Sequence, residues 1–310
     1  MNLKNFITQK SFELGFTNIG FTTAIVEERE QVNLKNWLNK NYHAEMNWME
    51  RNFEKRINPN LVLDGVKSVI MLGTNYNTNF KHSSETGKIS RYAWGMDYHN
   101  ILDERIQKLI SCIKEVDSTG EYKFYVDTGP VMEKYFAEKS GIGWRGKHTN
   151  VISKNFGSWI FLSSILTTTD FKIDESFEDF CGTCTACIDA CPTNAIIEPY
   201  LLDSNRCISY LTIEHKKEID EKLGEKFEGW IYGCDICQEV CPWNKFEKKS
   251  DDESFIPFKS ETNLNLNKII NLDEEEFKTR FKNSPIKRTK LNRMKRNAKI
   301  LNKKEEYVKS

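Results

Sequence analysis

The sequence predicts a mixed α/β or α+β fold: an N-terminal α/β domain, a two-cluster ferredoxin-like domain and a short helical C-terminal segment. Three observations carry this. Strand-like and helix-like stretches alternate over residues 1–170, the pattern of layered α/β architecture. Eight of the nine cysteines fall within residues 171–250. Residues 251–310 begin at the polar linker "KKSDDESF" and end in a basic helical stretch after Ser284-Pro285.

The elements follow in order. "NFITQKSFELGF" spaces its apolar residues as a helix does, and Gly15 is placed to end it. "VKSVIMLGTNY" reads as a buried strand and "HNILDERIQKLISCIKEV" as an amphipathic helix. "KFYVD" is a further strand. In "TGPVMEKYFAEKSGIGW" Pro130 suits a first helical turn and Gly141 a helix end. "SWIFLSSIL" supplies another strand. With 39% hydrophobic and 29% charged residues, the 310-residue chain is globular rather than disordered. No apolar run reaches the 18 or so residues of a membrane span, and the N-terminus has neither an h-region nor a twin arginine. The expectation is a cytoplasmic monomer with no membrane contact, where cysteines serve metal or redox chemistry before disulfides. The formal charge is zero, yet residues 278–304 hold many lysines and arginines and no acid.

"CGTCTACIDACP" carries Cys181, Cys184, Cys187, Cys191 and Pro192 at the spacing of a bacterial two-cluster ferredoxin. Three thiolates of such a loop face one cubane, and the fourth cysteine reaches the other. "IYGCDICQEVCPWN" repeats the pattern with Cys234, Cys237 and Cys241, but Ile231 stands in the first cysteine's place. Crossover then assigns Cys181, Cys184, Cys187 and Cys241 to cluster one. Cluster two receives Cys191, Cys234 and Cys237 and lacks a ligand. Cys207, between the halves, is favoured for the vacancy over Cys112, which reads as a small buried hydrophobe in the amphipathic helix. Two zinc sites would explain the CxxC pairs but not a three-cysteine loop followed by Cys-Pro, twice. Two [4Fe–4S] clusters are therefore expected, passing single electrons to a centre in the first domain.

That centre is less marked. "DYHNIL" approaches the Asp-x-His-x-x-Gly pattern of cobalamin-ligating histidines, but Leu102 replaces the glycine and disfavours His99 as a cobalt ligand. "GIGWRGKHTN" permits close backbone approach to a cofactor, and no GxGxxG follows a strand. Asp127 ends the strand "YKFYVD", where reacting groups collect in open α/β sheets, and desolvation in an apolar pocket would raise its pKa. A turn or capping role is the plainer alternative. Glu133, one turn into the next helix, reads as a structural or hydrogen-bonding group.

Together "RYAWGMDYH", "VDTGPVMEKYFAEKSGIGWRGKHTNVIS", "CGTCTACIDACPTNAI", "RCISYLTIEHK" and "YGCDICQEVCPWN" closely resemble the epoxyqueuosine reductase family. The likeness runs from "LGFTNIGF" to about residue 300. It implies a cobalamin-dependent oxidoreductase with two [4Fe–4S] clusters, reducing epoxyqueuosine to queuosine at the wobble base of tRNA with electrons from an external donor. By the same resemblance Asp127 matches the proton donor and Cys207 the eighth cluster ligand. Arg56, Ser90, Asp127 and the segment 147–153, with Lys147, Asn150 and Ser153, fall where the family contacts cobalamin. The tail "PIKRTKLNRMKRNAKILNKK" aligns with the start of the family's helical C-terminal domain. Its Lys287, Arg288, Lys290, Arg293, Lys295 and Arg296 are expected at tRNA phosphates, with Leu291, Met294 and Ala298 packed inward. Two rivals are a reductive dehalogenase and a non-catalytic electron-transfer or cobalamin-handling protein. The first usually carries an export signal absent here.

Overall fold

The computed structural model describes residues 2–245 and 248–309. At its centre lies a four-stranded sheet made of β1 (Asn18–Thr23), β2 (Ser68–Asn75), β3 (Tyr122–Tyr125) and β4 (Ile160–Thr167), in the order β1-β2-β4-β3. Every pairing in it is antiparallel, so α+β is the accurate term for this domain. All eight residues of β2 are buried. Side chains alternate across a strand, and both faces of β2 are covered. Ile70 and Leu72 pack with α1 (Leu3–Glu13) and α3 (Tyr98–Val116). Val69 and Met71 pack on the other face with Tyr135 and Phe136 of α4 (Glu133–Lys139).

The expected helices and strands are present, with three differences. β1 is an additional edge strand, whose sequence NIGFTT has little apolar periodicity. α2 (Glu28–Asn39) is additional too, and it buries only Leu34 and Leu38. The helix expected at Pro130 begins at Glu133, and residues 127–132 form turns instead.

A second core joins the three sequence regions. Lys88–Ile89 pairs in parallel with Trp230–Tyr232, so the first region lends a strand to the cysteine-rich one. The C-terminal helix α5 (Lys290–Lys309) packs Leu291, Met294, Ala298 and Leu301 against Ile208, Leu211, Trp230 and Ile231. This inward face agrees with the sequence pattern.

One tail assignment is corrected here. Arg296 is buried, and its guanidinium donates to the carbonyls of His215 and Lys217 at 2.8 and 2.5 Å and of Leu211 at 2.7 Å. With its donors spent on buried carbonyls it is a packing residue that braces the segment 211–217, not a phosphate contact. Arg293 is largely engaged in the same way, donating to the carbonyls of Thr289, Glu214 and Arg288.

Candidate active site and cysteine centres

β3 ends at Tyr125, and two residues later Asp127 takes a left-handed conformation, φ +58°. Asp is among the few side chains that tolerate this region. The turn is pinned by the Asp127 N–H, which donates to Glu133 Oε2 at 3.1 Å. Gly129 lets it lie flat, because a Cβ there would come within 2.2 Å of the Tyr125 ring. The result is an Asp127 side chain left 56% exposed. The rule about strand ends concerns parallel sheets, and here the turn does the positioning.

The Asp127 carboxylate accepts from Tyr98 Oη at 3.1 Å and lies 3.7 Å from His99 Nε2. Tyr98 is held by stacking on Phe161, ring centres 4.2 Å apart, and His99 stacks on Tyr98 at 4.0 Å. Partial desolvation raises the Asp127 pKa, but His99, with Arg288 and Tyr98, outweighs it. The carboxyl therefore sits below the ordinary aspartate value. This corrects the sequence expectation of a raised pKa, which could not anticipate a cationic neighbour.

His99 is the neighbour of Asp127 that sequence reasoning undervalued. Its Nδ1 is 2.8 Å from Asp97 Oδ1. Burial lowers its pKa, yet hydrogen bonding and charge from Asp127 and Asp97 raise it to about 9. At neutral pH the imidazole thus carries a proton between two carboxylates. Asp97 caps α3 and also pairs with Lys287 Nζ at 2.8 Å. Burial pushes Asp97 up, but His99 and Lys287 hold it well below the usual range. The Asp-Tyr-His order of "DYH" was the available signal. Glu133 accepts from Ser164 Oγ at 3.2 Å, and burial followed by repulsion from Asp127 raises its pKa far above that of ordinary glutamate. It is an acid whose ionised form burial and the neighbouring aspartate disfavour.

The residues expected at cobalamin divide. Arg56 is buried, donates to Val131 O at 3.3 Å, and leaves Nε without a partner. Asn150 is half-buried, and its Oδ1 accepts from the exposed Lys134 at 3.0 Å. Three others are occupied. Ser90 is buried, and its hydroxyl donates to Asp235. Ser153 is buried and accepts weakly from Asn18 at 3.4 Å. Lys147 is buried against the first cysteine loop, donating to Gly182 O at 2.6 Å and Cys184 O at 2.9 Å. Ser90 and Lys147 thus direct their side-chain polar atoms into the cysteine region.

The thiols form two groups. Cys181, Cys184, Cys187 and Cys241 line one cavity of about 140 Å³ with Lys147, His148, Phe180 and Trp243. Burial and then the other thiols of the group push Cys187 up to about 11. Burial and Lys134 lower His148 to about 4, so it is neutral. In the other group, burial and then Cys207, with Cys191 a smaller contributor, raise Cys237, while burial and Cys191 raise Cys207. Cys207 and Cys234 pack on the same core. Mutually destabilised thiols are what a metal centre relieves, since it binds them as thiolates. A single Zn²⁺ at about 2.3 Å from each sulfur would set sulfurs roughly 3.8 Å apart. Among the described residues no three of these thiols lie within 4.8 Å of one another. The donor sets, four thiols to each group, fit cubanes. Ile231, at the vacant ferredoxin position, is fully buried, and its carbonyl accepts from Asn297 at 2.9 Å. Cys112 is half-buried on α3, near Lys10 of α1.

The comparisons with known proteins agree with this arrangement. Residues 180–244 match the family model for a 4Fe-4S double cluster binding domain. Residues 56–128 match the one described as epoxyqueuosine reductase QueG, DUF1730. The chain is 41% identical to the epoxyqueuosine reductase of Cellulophaga algicola over 95% of its own length and 96% of the relative's. It is 39% identical to that of Escherichia coli, over 91% of this chain and 76% of the other. A crystal structure of an epoxyqueuosine reductase with an epoxyqueuosine-modified tRNA stem loop superposes with a TM-score of 0.91 at 30% identity. The match covers 96% of this chain and 80% of that one.

Proposed function

The chain belongs to the epoxyqueuosine reductase family, and from that premise we propose how its residues carry out reduction of epoxyqueuosine to queuosine in tRNA. The observation that carries the reading is the half-exposed Asp127 beside protonated His99. Removing an epoxide oxygen to leave an alkene takes two electrons and protonation of the departing oxygen. Cobalamin would supply the reducing equivalents when bound, drawn from an external donor through the two [4Fe–4S] clusters. Arg56, through its unpartnered Nε, and Asn150 would hold it, with Lys134 beside them. Neither Ser90 nor Lys147 is assigned to it. The direct test is incubation of reduced, cofactor-loaded protein with tRNA bearing epoxyqueuosine. Nucleoside analysis should show queuosine, and its absence would defeat the proposal. A tRNA substrate also argues for work in the cytoplasm. Among the described residues no helix is long and apolar enough to cross a membrane.

In this reading Asp127 delivers the proton and His99 reloads it. His99, hydrogen-bonded to Asp97 and ion-paired with Asp127 at 3.7 Å, keeps a proton available at neutral pH while Asp127, which accepts from Tyr98, itself rests ionised. The rate should then fall on an alkaline limb near pH 9, where His99 loses its proton. His99→Gln should lower turnover on the order of tenfold and remove that limb. An unchanged pH profile would exclude the relay. The sign for stability is the same. His99 is raised in the folded state, so its pairing stabilises fully below pH about 6.5 and fades as pH rises through about 9.

The tail is proposed to meet the phosphates of the anticodon stem-loop, with the modified base extruded toward Asp127. Lys287 and Arg288 already pair with Asp97 and Glu214, at 2.8 and 2.6 Å. Lys290 is exposed and Lys295 half-buried, which leaves them as the available contacts. Neutralising both to Gln should reduce the slope of log affinity against log salt by roughly 1.5. Arg296→Met should instead cost on the order of 3 kcal/mol in stability, by orphaning buried carbonyls, with the slope unchanged. The opposite pattern would reverse these assignments.

A further inference from the structure

We propose that Lys147 is a positioning residue that clamps the first cysteine loop to the catalytic domain and raises the reduction potential of the cluster held there. This rests on the double-cluster assignment and not on the identity of the substrate.

Lys147 sits in the turn of a small hairpin, Trp144–Arg145 paired with Val151–Ile152. The hairpin is rigidly seated. Trp144 and Ile152 are buried in one cluster with Cys241, with Cys181 and Trp243 packed on it. The turn closes through Gly146 N–H to Asn150 O at 2.8 Å. Lys147 is held at both ends. Its carbonyl accepts from the Tyr200 N–H at 3.0 Å, and its ammonium donates to Gly182 O and Cys184 O. Both acceptors belong to the loop that presents Cys181 and Cys184, so the side chain fixes where that loop stands relative to the catalytic domain.

The charge has a separate consequence. Lys147 is 9% exposed and lines the cavity shared by Cys181, Cys184, Cys187 and Cys241. Among the described residues it is the one lysine or arginine on that wall. Its hydrogen-bond acceptors are neutral carbonyls, so they do not cancel its charge. A thiolate-bound cluster is more negative when reduced than when oxidised. A buried cation beside it favours the reduced form, and nearby charge and hydrogen bonding are among the protein's means of tuning such potentials. The effect would ease transfer of one electron from the external donor into cluster one.

The test is a potentiometric titration of the reconstituted protein followed by electron paramagnetic resonance. In Lys147→Gln one of the two reduction steps should move to lower potential by at least a tenfold change in the one-electron equilibrium, about 59 mV. The other step should stay. Lys147→Arg, which keeps the charge and can donate to both carbonyls, should titrate close to the parent protein. Unmoved steps in Lys147→Gln, equal movement of both steps, or an arginine variant shifted as far as the glutamine one would each overturn the proposal. If Lys147→Gln retains only about four irons per chain, Lys147→Arg decides. Full iron with a parental potential supports the clamp and the charge together, and loss of the cluster there refutes them. The readout needs neither tRNA nor cobalamin, so failure of queuosine formation would leave it standing.

Discussion

Asp127→Asn is expected to slow queuosine formation about 10²- to 10⁴-fold, the usual worth of a positioned general acid. The substituted amide still accepts from Tyr98 and does not disturb the backbone bond to Glu133, so fold and iron content should persist. What it loses is the ability to take a proton from His99 and pass it on. The neighbouring acid makes this experiment discriminating. Glu133, whose pKa burial and Asp127 raise well above that of ordinary glutamate, lies against the Asp127 backbone. Were Glu133 the donor, Glu133→Gln would be the severe variant and Asp127→Asn the mild one. Full turnover in Asp127→Asn, with iron and cobalamin loading unchanged, would remove the proton-donor role.

Cys207→Ala is the second large effect. Iron should fall from about eight to about four per chain, and queuosine formation should cease because the electron path is cut. The thiol opens the short helix Ile208–Ile213, and the backbone N–H groups of Ser209 and Tyr210 favour its ionised form. Burial and Cys191 oppose that form in the metal-free chain, so the site is tuned for a cationic core. Cys112→Ala should leave iron content unchanged. Eight irons surviving in Cys207→Ala would mean that another residue supplies the ligand.

The cysteine grouping was legible because ferredoxin spacing encodes a local loop and a crossover, both short-range properties of the chain. The buried run of β2 was legible for a similar reason, as eight consecutive residues share one environment. β1 and α2 were not, since their burial comes from partners far along the chain and not from their own periodicity. The direction of the Asp127 shift was illegible for the same reason. His99 lies 28 residues away and reaches it only because Asp97 starts a helix beside the turn. Ser90, Lys147 and Arg296 show the converse. Each has a residue type suited to a ligand, yet each is consumed by carbonyls or carboxylates that only the folded chain brings near. A basic tail reads as one surface in sequence, and the structure divides it into bracing residues and exposed ones.

The parallel ladder between Lys88–Ile89 and Trp230–Tyr232 also bears on how the protein is made. The two strands are about 140 residues apart in the chain. At about 5–20 residues per second, the first waits on the order of ten seconds at the ribosome before its partner emerges. Until then Ile89 and Trp94 lack most of the core that later covers them. Every one of the eight cysteines proposed as cluster ligands lies at or beyond residue 181, so cofactor insertion and closure of this ladder fall in the same late window of biogenesis.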